Sequence, residues 1–495
     1  MRRTRARQVR IAHAVLAAAA LACGCAVGPD FKRPAAPAVD RYTAAAQPAA
    51  TAAADGQVQR FTAGGAVAAQ WWRQFGSPQL DAAVEQAFAG NPGLQAAQAS
   101  LRQSQDQLRA GYGIFYPQAE AAAAAARQRS TPQRSGLAVA PTIYSLFTLS
   151  ASVSYALDVF GGERRTVEGL AAQAELQGYE VQASYLALAA NTVNTAIARA
   201  AYAAELQSTQ AQIAAVREQV RLAQVRADAG TAPYSDVLAL QGQLAAYEAA
   251  LAPLRQKLDQ SEDLLATLAG RAPAQQQAPD LPLADLRLPA DIPLAVPSSL
   301  VRQRPDILAA EAALHAASAG VGVATAALFP SVTLDAAYGA ASTSAGNLFS
   351  SGNRYWSAGA GIAAPVFEGG TLWYQRRAAQ ERYRQAEAGY RQTVLAAFAQ
   401  VADSLHALEH DAEALDAQSR QLRSAAQALH LVQAGYQAGL ADSSQVLLAD
   451  SQYQQAQIGY LQSKALRLQD TVALYAALGG GWNPPQPQAS RSAAP

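Results

Sequence analysis

Three stretches of the chain alternate apolar with polar or small side chains, and this alternation predicts strands of two β-hairpins. From Phe147 to Leu157 the apolar residues are separated by threonine, serine and alanine. The same alternation runs over residues 331–338 and again over residues 356–366. Residues 118–129 are expected to form the fourth strand, because they hold the corresponding place in the first hairpin. Each strand is therefore expected to have one apolar face and one polar or small face.

A long segment without proline follows each hairpin and predicts a helix. Residues 163–228 and 370–437 would each extend about 100 Å at 1.5 Å per residue. In the second segment an apolar residue recurs every seven positions, which is the spacing of a coiled-coil seam. The seam residues are Val394, Val401, Leu408, Leu415, Leu422, Leu429 and Tyr436. Gly230 and Gly439 are expected to end the two long helices.

The chain carries the same order of motifs twice. Asn91-Pro92-Gly93-Leu94 recurs as Arg304-Pro305-Asp306-Ile307, and Val159-Phe160-Gly161-Gly162 recurs as Val366-Phe367-Glu368-Gly369-Gly370. The glycine pairs are interpreted as strand-to-helix turns that need a permissive backbone. Each copy is therefore expected to contain a helix, a hairpin, a long helix and a short helix.

Composition divides the chain into two repeats and three irregular segments. The lead, the linker and the tail are rich in Ala, Pro and Gln, and we expect none of them to build a core. The expected order is a signal peptide (1–24), an anchored extended segment (25–77), repeat 1 (78–270, with helices 92–115 and 233–269 and hairpin 118–160), a linker (271–297), repeat 2 (298–480, with helices 305–329 and 442–478 and hairpin 331–367) and a flexible tail (481–495).

The first residues predict export across a membrane. Several arginines precede a short apolar run over residues 11–22, which is the pattern of a secretory signal and too short to remain as a spanning helix. The run ends at Leu21-Ala22-Cys23-Gly24-Cys25, which resembles a bacterial lipobox. Cys25 is the expected lipidated residue and Cys23 the alternative; a disulfide between them is the remaining possibility. After residue 27 we expect no apolar stretch near 18 residues, which argues against an inner-membrane transporter.

Charge and motif content argue against several other classes. The chain has 38 basic and 37 acidic residues, a formal net charge of +1, so no basic surface for nucleic acid is expected. No nucleophile elbow or phosphate-binding glycine loop is present, so we expect neither an enzyme nor a cofactor. His406 and His410 lie near Asp403 on one helix, but a metal site is not expected, because Leu408 marks the packed seam and the histidines lie on the remaining face.

Four strands are too few to form a membrane barrel, because single-chain barrels need at least eight strands and open edges are not tolerated in lipid. Three copies related by cyclic symmetry would supply twelve strands. The expected fold is α+β, mostly α: a trimeric twelve-stranded transmembrane β-barrel, with four strands per chain. A long periplasmic α-helical barrel, built from the same two repeats, would continue it.

Five motifs in order resemble the outer-membrane efflux channels of the TolC-like family, in its lipoprotein branch serving resistance-nodulation-division pumps. The motifs are Cys25-Ala26-Val27-Gly28-Pro29-Asp30-Phe31 followed by Arg33-Pro34, Trp71-Trp72-Arg73-Gln74-Phe75-Gly76-Ser77-Pro78-Gln79-Leu80, Leu157-Asp158-Val159-Phe160-Gly161-Gly162, Arg304-Pro305-Asp306-Ile307 and Pro365-Val366-Phe367-Glu368-Gly369-Gly370. The resemblance implies a homotrimer in outer-membrane lipid. It also implies an exit duct that partners a periplasmic adaptor protein and an inner-membrane efflux transporter.

The same resemblance implies a constriction at the periplasmic tip, near the turn that follows Tyr436. Tyr436 fits the family pattern, whereas Gln445 stands where an acidic residue often occurs. Leu448 stands at a second such position. Asp442 and Asp450 are the candidate substitutes, with Asp236 in the related place of the first repeat. The competing interpretation is that Asp442 only caps a helix.

The leading functional hypothesis is a passive, gated duct for small molecules such as drugs or other toxic compounds. Two alternatives are a protein-secretion duct of the same fold and a lipid-anchored coiled-coil stalk. The stalk would explain the heptads but not the duplicated amphipathic hairpins.

Overall fold

The computed structural model describes residues 26–65, 67–130, 141–275 and 279–481. Both leader cysteines, Cys23 and Cys25, and nearly all of the expected tail lie outside these ranges. The helices are α1 (Pro78–Gly90), α2 (Pro92–Gly111), α3 (Gly162–Asp228), α4 (Tyr234–Leu268), α5 (Pro297–Leu300), α6 (Pro305–Ala326), α7 (Thr371–Gln437) and α8 (Ser443–Ala477). The strands are β1 (Arg60–Ala63), β2 (Gln118–Ser130), β3 (Thr142–Leu157), β4 (Asp291–Leu294), β5 (Ser331–Ser342) and β6 (Arg354–Ala363).

The chain forms two compact units, and each unit draws on both sequence repeats. The repeats are therefore not two separate bodies, because a strand of one repeat pairs with a strand of the other. The sheet unit comprises Met1–Pro34, Leu101–Gln177 and Ala310–Tyr390, and the core unit comprises Ala35–Ser100, Gly178–Ala309 and Arg391–Pro495, each within the described residues.

The sheet unit contains one antiparallel sheet with the strand order β2-β3-β5-β6. Representative pairs are Ala119 with Val153, Tyr155 with Leu334, and Tyr338 with Trp356. Strand β6 ends at Ala363 rather than at residue 366 as expected. Pro365 follows, and it has no backbone N–H to donate to a ladder.

The first helix of each repeat is shorter than expected. Helix α2 ends at Gly111 and passes into a 3₁₀ turn over Tyr112–Phe115, where the sequence predicted helix to residue 115. Helix α6 ends at Ala326, where helix was expected to residue 329. The expected ends were set by the next proline, whereas the regular helical hydrogen bonds stop some residues before it.

The two long helices confirm the expectation from the proline-free segments. Helices α3 and α7 contain 67 residues each. Beyond their ends Gly230 and Gly439 adopt left-handed φ angles of 72° and 75°, which favour glycine and terminate helices. The heptad prediction is also confirmed: five of the seven seam residues are buried, and Leu422 and Tyr436 are half-buried.

The expectation that the lead and linker build no core is wrong. Strand β1 of the lead pairs in parallel with strand β4 of the linker, placing Phe61 beside Ile292. Leu281 and Ile292 of the linker belong to the main core cluster of the core unit, together with Val67 of the lead. A few large apolar side chains are sufficient for burial here, although proline, alanine and glutamine dominate the composition.

The expectation that no later segment is long and apolar enough for a membrane is also wrong. Helix α6 has 22 residues and contains an 18-residue window with a mean hydropathy of 1.5. Of this window 44% is buried inside the protein. Alanine, valine, leucine and isoleucine supply this hydropathy, and alanine predominates, so the helix has few large side chains. A single partly buried helix of this kind is common in protein cores, so α6 does not indicate a multi-span transporter.

Candidate functional site

The four-stranded sheet presents an exposed apolar face. Side chains alternate along a strand and directly paired residues share a face, so the register assigns every strand position to one side. One side carries Leu149, Val153, Leu334, Tyr338 and Trp356, whose exposure ranges from 38% to 76%. A contiguous apolar surface of this kind marks contact with a partner or a membrane.

The opposite side of the sheet is polar. It carries Ser150, Ser152 and Ser154 of β3 in a row, with Glu120 on β2 and Asp335 on β5. The Ser154 hydroxyl donates to Asp335 Oδ1 at 2.7 Å. An apolar face opposite a hydrophilic one is the pattern of a barrel wall between lipid and water.

Both outer strands of this sheet have a free edge. Within the described residues, β2 pairs only with β3, and β6 pairs only with β5. The outward N–H and C=O groups of β2 and β6 therefore have no strand partner in a single chain. Lipid offers no hydrogen bonds to such groups, so the sheet needs further strands before it can span a membrane.

The strand-to-helix turns use glycine for different reasons. Gly161, Gly369 and Gly370 adopt left-handed φ angles of 81°, 60° and 88°. A Cβ on Gly161 would also lie 2.6 Å from the Cα of Ala26. Gly162 has no positive φ; it is the first residue of α3, where a Cβ would lie 3.1 Å from the Cβ of Ala326.

The turn after α7 is held by a capping box. The Asp442 carboxylate accepts the backbone N–H of Gln445 at 2.9 Å, and the Gln445 side chain accepts the Asp442 N–H at 3.3 Å. Ser444 Oγ donates to the same carboxylate at 2.6 Å. The hydrogen bonds from Ser444 and Gln445 lower the pKa of Asp442. Asp442 and Gln445 thus act together on the start of α8.

Tyr436 and Asp236 have different surroundings. The guanidinium of Arg226, near the end of α3, lies 4.7 Å from the Tyr436 ring centroid and makes a cation–π contact. Asp236 lies half-buried in the first turn of α4, and its side chain has no hydrogen-bond or ion-pair partner among the described residues. Pro233 takes the N-cap position of α4 and makes no side-chain cap.

Asp450, the other carboxylate near this turn, is buried. Its side chain is 1% exposed and accepts hydrogen bonds from Gln212 and from the Tyr247 hydroxyl, the latter at 3.0 Å. Burial raises the pKa of Asp450. This residue therefore connects α3, α4 and α8 and does not line an open surface.

The motifs before α2 and α6 are visible in the sequence, but the role of their first residues is not. Asn91 Nδ2 donates to the carbonyl of Leu268, the last residue of α4, at 2.9 Å. Arg304 Nη1 donates to the carbonyl of Ala477, the last residue of α8, at 2.8 Å. In each repeat, the side chain before α2 or α6 thus bonds to the end of that repeat's last helix. The shared proline at the next position was the signal for this role.

A buried polar cluster also went unpredicted. Arg467 is 1% exposed, and its guanidinium donates to Gln59 Oε1 at 3.2 Å and to Thr51 Oγ1 at 3.1 Å. Burial, together with the neighbouring Asp470, raises the pKa of Asp411 to about 7. The sequence did not predict this cluster, because Arg467 and Asp411 resemble ordinary surface charges of amphipathic helices.

The histidine pair on α7 stands apart from these features. His410 Nδ1 lies 3.8 Å from Glu413 and its side chain is largely exposed. Among the described residues no group of three or more His, Cys, Asp and Glu side chains could hold a metal ion.

Comparison with known proteins decides the family. A sequence profile of the family described as "Outer membrane efflux protein" matches residues 83–271 and 296–480, one segment in each repeat. The chain belongs to this outer membrane efflux family.

Relatives and solved structures agree with the profile. The chain is 31% identical over 417 residues to the pyoverdine export outer membrane protein OpmQ of Pseudomonas aeruginosa, covering 83% of this chain and 87% of OpmQ. It is 30% identical over 466 residues to the outer membrane protein OprJ of the same species, covering 93% of each. The solved outer-membrane channel OprN superposes with a TM-score of 0.83 at 29% identity, covering 93% of this chain and 100% of OprN.

Family membership fixes the class and the location. Efflux-family members are outer-membrane components of tripartite pumps and have a two-repeat, mostly helical fold. They are transport conduits, not enzymes. The chain is thus an outer-membrane efflux channel protein whose helical part lies in the periplasm.

Proposed function

We propose that this chain forms the outer-membrane exit duct of a tripartite efflux system and passively conducts small molecules, such as drugs or other toxic compounds, to the cell exterior. The observation that carries the proposal is the two-faced sheet with two free edges. A sheet of this kind suits a wall that has lipid on one side and water on the other. A lipid-anchored stalk would leave the exposed apolar face without a suitable environment.

The working assembly is a homotrimer. Edge strand β2 of one copy pairs with edge strand β6 of the next, and cyclic repetition of this contact closes a ring. Three copies of four strands give a twelve-stranded barrel, which satisfies every backbone edge in the membrane. The long helices of three copies then form the periplasmic helical barrel.

The duct works with a periplasmic adaptor protein and an inner-membrane efflux transporter. The transporter supplies the energy, and the channel supplies a sealed path of low resistance. Tyr436 is the proposed gate residue, because its contact with Arg226 connects the ends of α7 and α3. Asp442 and Gln445 set the shape of the adjoining turn, and Asp236 supplies a carboxylate at the related turn of repeat 1.

The proposed anchor is a diacylglycerol on Cys25. Replacing Cys25 with serine should abolish lipid labelling and leave the precursor unprocessed by the lipoprotein peptidase. Cys23→Ser is the matched control and should be processed normally. If Cys23→Ser instead abolishes labelling, the anchor is at residue 23.

Conductance across a planar bilayer tests the duct. The detergent-extracted mature protein should insert and give discrete conductance steps, because a closed barrel has a continuous aqueous path. A protein that stays soluble without detergent and produces no steps would exclude the duct and favour the stalk.

A further inference from the structure

The charged residues of the sheet are sorted by sign between its two faces. The described strand positions of β2, β3, β5 and β6 contain five charged side chains. The two carboxylates, Glu120 and Asp335, lie on the polar face. The three arginines, Arg127, Arg129 and Arg354, all lie on the apolar face.

The register places these arginines on the apolar face. Arg127 pairs with Ser145 and Arg129 pairs with Ile143, which share the side of Phe147 and Leu149. Arg354 pairs with Ala340, which in turn pairs with Leu149. All three side chains are exposed, and none has a carboxylate partner among the described residues.

The arginines also lie at one end of the sheet. Helices α3 and α7 begin beyond the ends of β3 and β6, so that end of the sheet faces the periplasm. Arg127 and Arg129 lie near the opposite end of β2, and Arg354 is the first residue of β6. The three cations therefore lie toward the cell exterior.

The depth of Arg127 and Arg129 matches a headgroup region, whereas Arg354 lies level with Leu149, inside the apolar row. The apolar row of β3 runs from Leu157 to Phe147, about 34 Å along a strand, which becomes about 24 Å at a tilt of 45°. That height equals the lipid-facing band of outer-membrane barrels, about 25 Å. Beyond Phe147 the next two positions of this face are Ser145, which interrupts the apolar row, and Ile143, and they pair with Arg127 and Arg129. The interruption at Ser145 places both arginines at the outer boundary of the continuous apolar row.

We infer that Arg127 and Arg129, with Arg354, form a binding site for the phosphate groups of lipopolysaccharide in the outer leaflet. Two arginines at alternate positions of one strand lie about 7 Å apart on one face, so both can reach the phosphates of one glycolipid. Guanidinium groups bind phosphate oxygens bidentately, and their stems pack against acyl chains while their heads reach the interface. The inference rests on the proposed barrel, since the arginines meet lipid only if the apolar face does.

The test measures lipopolysaccharide bound per chain on detergent-extracted protein. The Arg127→Gln, Arg129→Gln double variant should retain several-fold less lipopolysaccharide than the wild type, with Arg354→Gln causing a smaller loss. The charge-matched control is Arg102→Gln, Arg423→Gln, which removes two exposed arginines from helices and should retain wild-type amounts. Equal retention by the wild type and the strand variant would overturn the site, and so would an equal loss in the control.

A second arm uses delipidated protein and added probes. Purified lipopolysaccharide should bind the wild type several-fold more tightly than its enzymatically dephosphorylated form, and the strand variant should not distinguish the two. Vesicles of phosphatidylglycerol should not displace the glycolipid. Binding that ignores the phosphates, or displacement by phosphatidylglycerol, would contradict the inference. Oligomer mass and conductance of the same samples show whether a failure belongs to this site or to the proposed barrel.

Discussion

The two repeats close on themselves at equivalent places but with different strength. Asn91 makes one hydrogen bond to the end of α4 and one to the Leu94 backbone N–H. Arg304 contacts the end of α8, both carboxylate oxygens of Asp306 at 3.0 and 2.6 Å, and Gln400 Oε1 at 2.8 Å. At this place repeat 2 therefore has a buried arginine with four hydrogen bonds, whereas repeat 1 has a neutral asparagine cap with two.

The tips of the repeats differ in the same direction. The α7–α8 turn has the Asp442 capping box and the Tyr436 ring under Arg226. The equivalent turn of repeat 1 has Pro233 in place of the capping aspartate. The two repeats therefore share a backbone plan, but repeat 2 has more of the side-chain contacts that hold the ends of its helices.

The largest effect expected at fixed pH comes from removing the Arg304 contacts. Arg304→Ala should lower the free energy of unfolding by about 2 kcal/mol, because it removes four hydrogen bonds of a buried guanidinium and leaves the carbonyl of buried Ala477 without this donor. Asn91→Ala should cost only about 1 kcal/mol, the usual value for a lost helix cap. Chemical unfolding in detergent measures both, with exposed Arg302→Ala as control. Equal losses at residues 91 and 304 would contradict the proposed difference between repeats.

A second, pH-dependent effect is expected at Asp411, a carboxylate that repeat 1 does not share. Because its pKa is raised to about 7 in the folded state, the folded chain holds a proton that the unfolded chain releases near pH 4. Stability should therefore fall as the pH rises from about 4 to about 7. Asp411→Asn should flatten this slope, whereas Asp403→Asn, an exposed acid on the same helix, should leave it unchanged. If stability still falls with pH in Asp411→Asn, another titrating group causes the pH dependence.

A functional effect without a large change in stability is expected at Tyr436. Tyr436→Ala removes the ring that contacts Arg226 and should raise single-channel conductance several-fold in planar bilayers. Tyr234→Ala, an exposed tyrosine at the tip of repeat 1, is the matched control and should leave conductance unchanged. Similar increases in both variants would show that the constriction is not specific to repeat 2.

The smallest effect is expected at Asp442 and should remain local. Asp442→Ala should speed amide hydrogen exchange in the first turn of α8, since the capping bonds to Gln445 are lost. In the wild type the same loss should develop as the pH falls below about 4, because protonation of a carboxylate with a lowered pKa weakens its capping bonds. Asp236→Ala should change little. Unchanged exchange in Asp442→Ala would show that the Asp442 side chain does not stabilise the start of α8.

The backbone plan was predictable from the sequence, whereas the contacts that secure it were not. The strands alternate apolar and polar residues because their two faces have different surroundings. The α7 seam repeats every seven residues because those residues pack against other helices. Both patterns are therefore visible as a period in the sequence. Tyr436 and Asp442 could be nominated from the turn, but whether each caps, packs or gates depends on partners from other helices.

The buried polar contacts and the core residues of the linker could not be predicted, for a different reason. Arg304, Asn91 and Arg467 act through partners far away in the chain, and a single buried charge has no periodicity. Leu281 and Ile292 were hidden by the proline and glutamine around them, although only those few side chains enter the core.

The mass of the mature protein released in detergent tests the central claim most directly, because each chain supplies four strands and the proposed barrel has twelve. Native mass spectrometry should show three chains and no stable smaller species, in agreement with twelve strands. A dominant dimer would contradict the twelve-stranded barrel, and a monomer that needs no detergent would contradict any barrel.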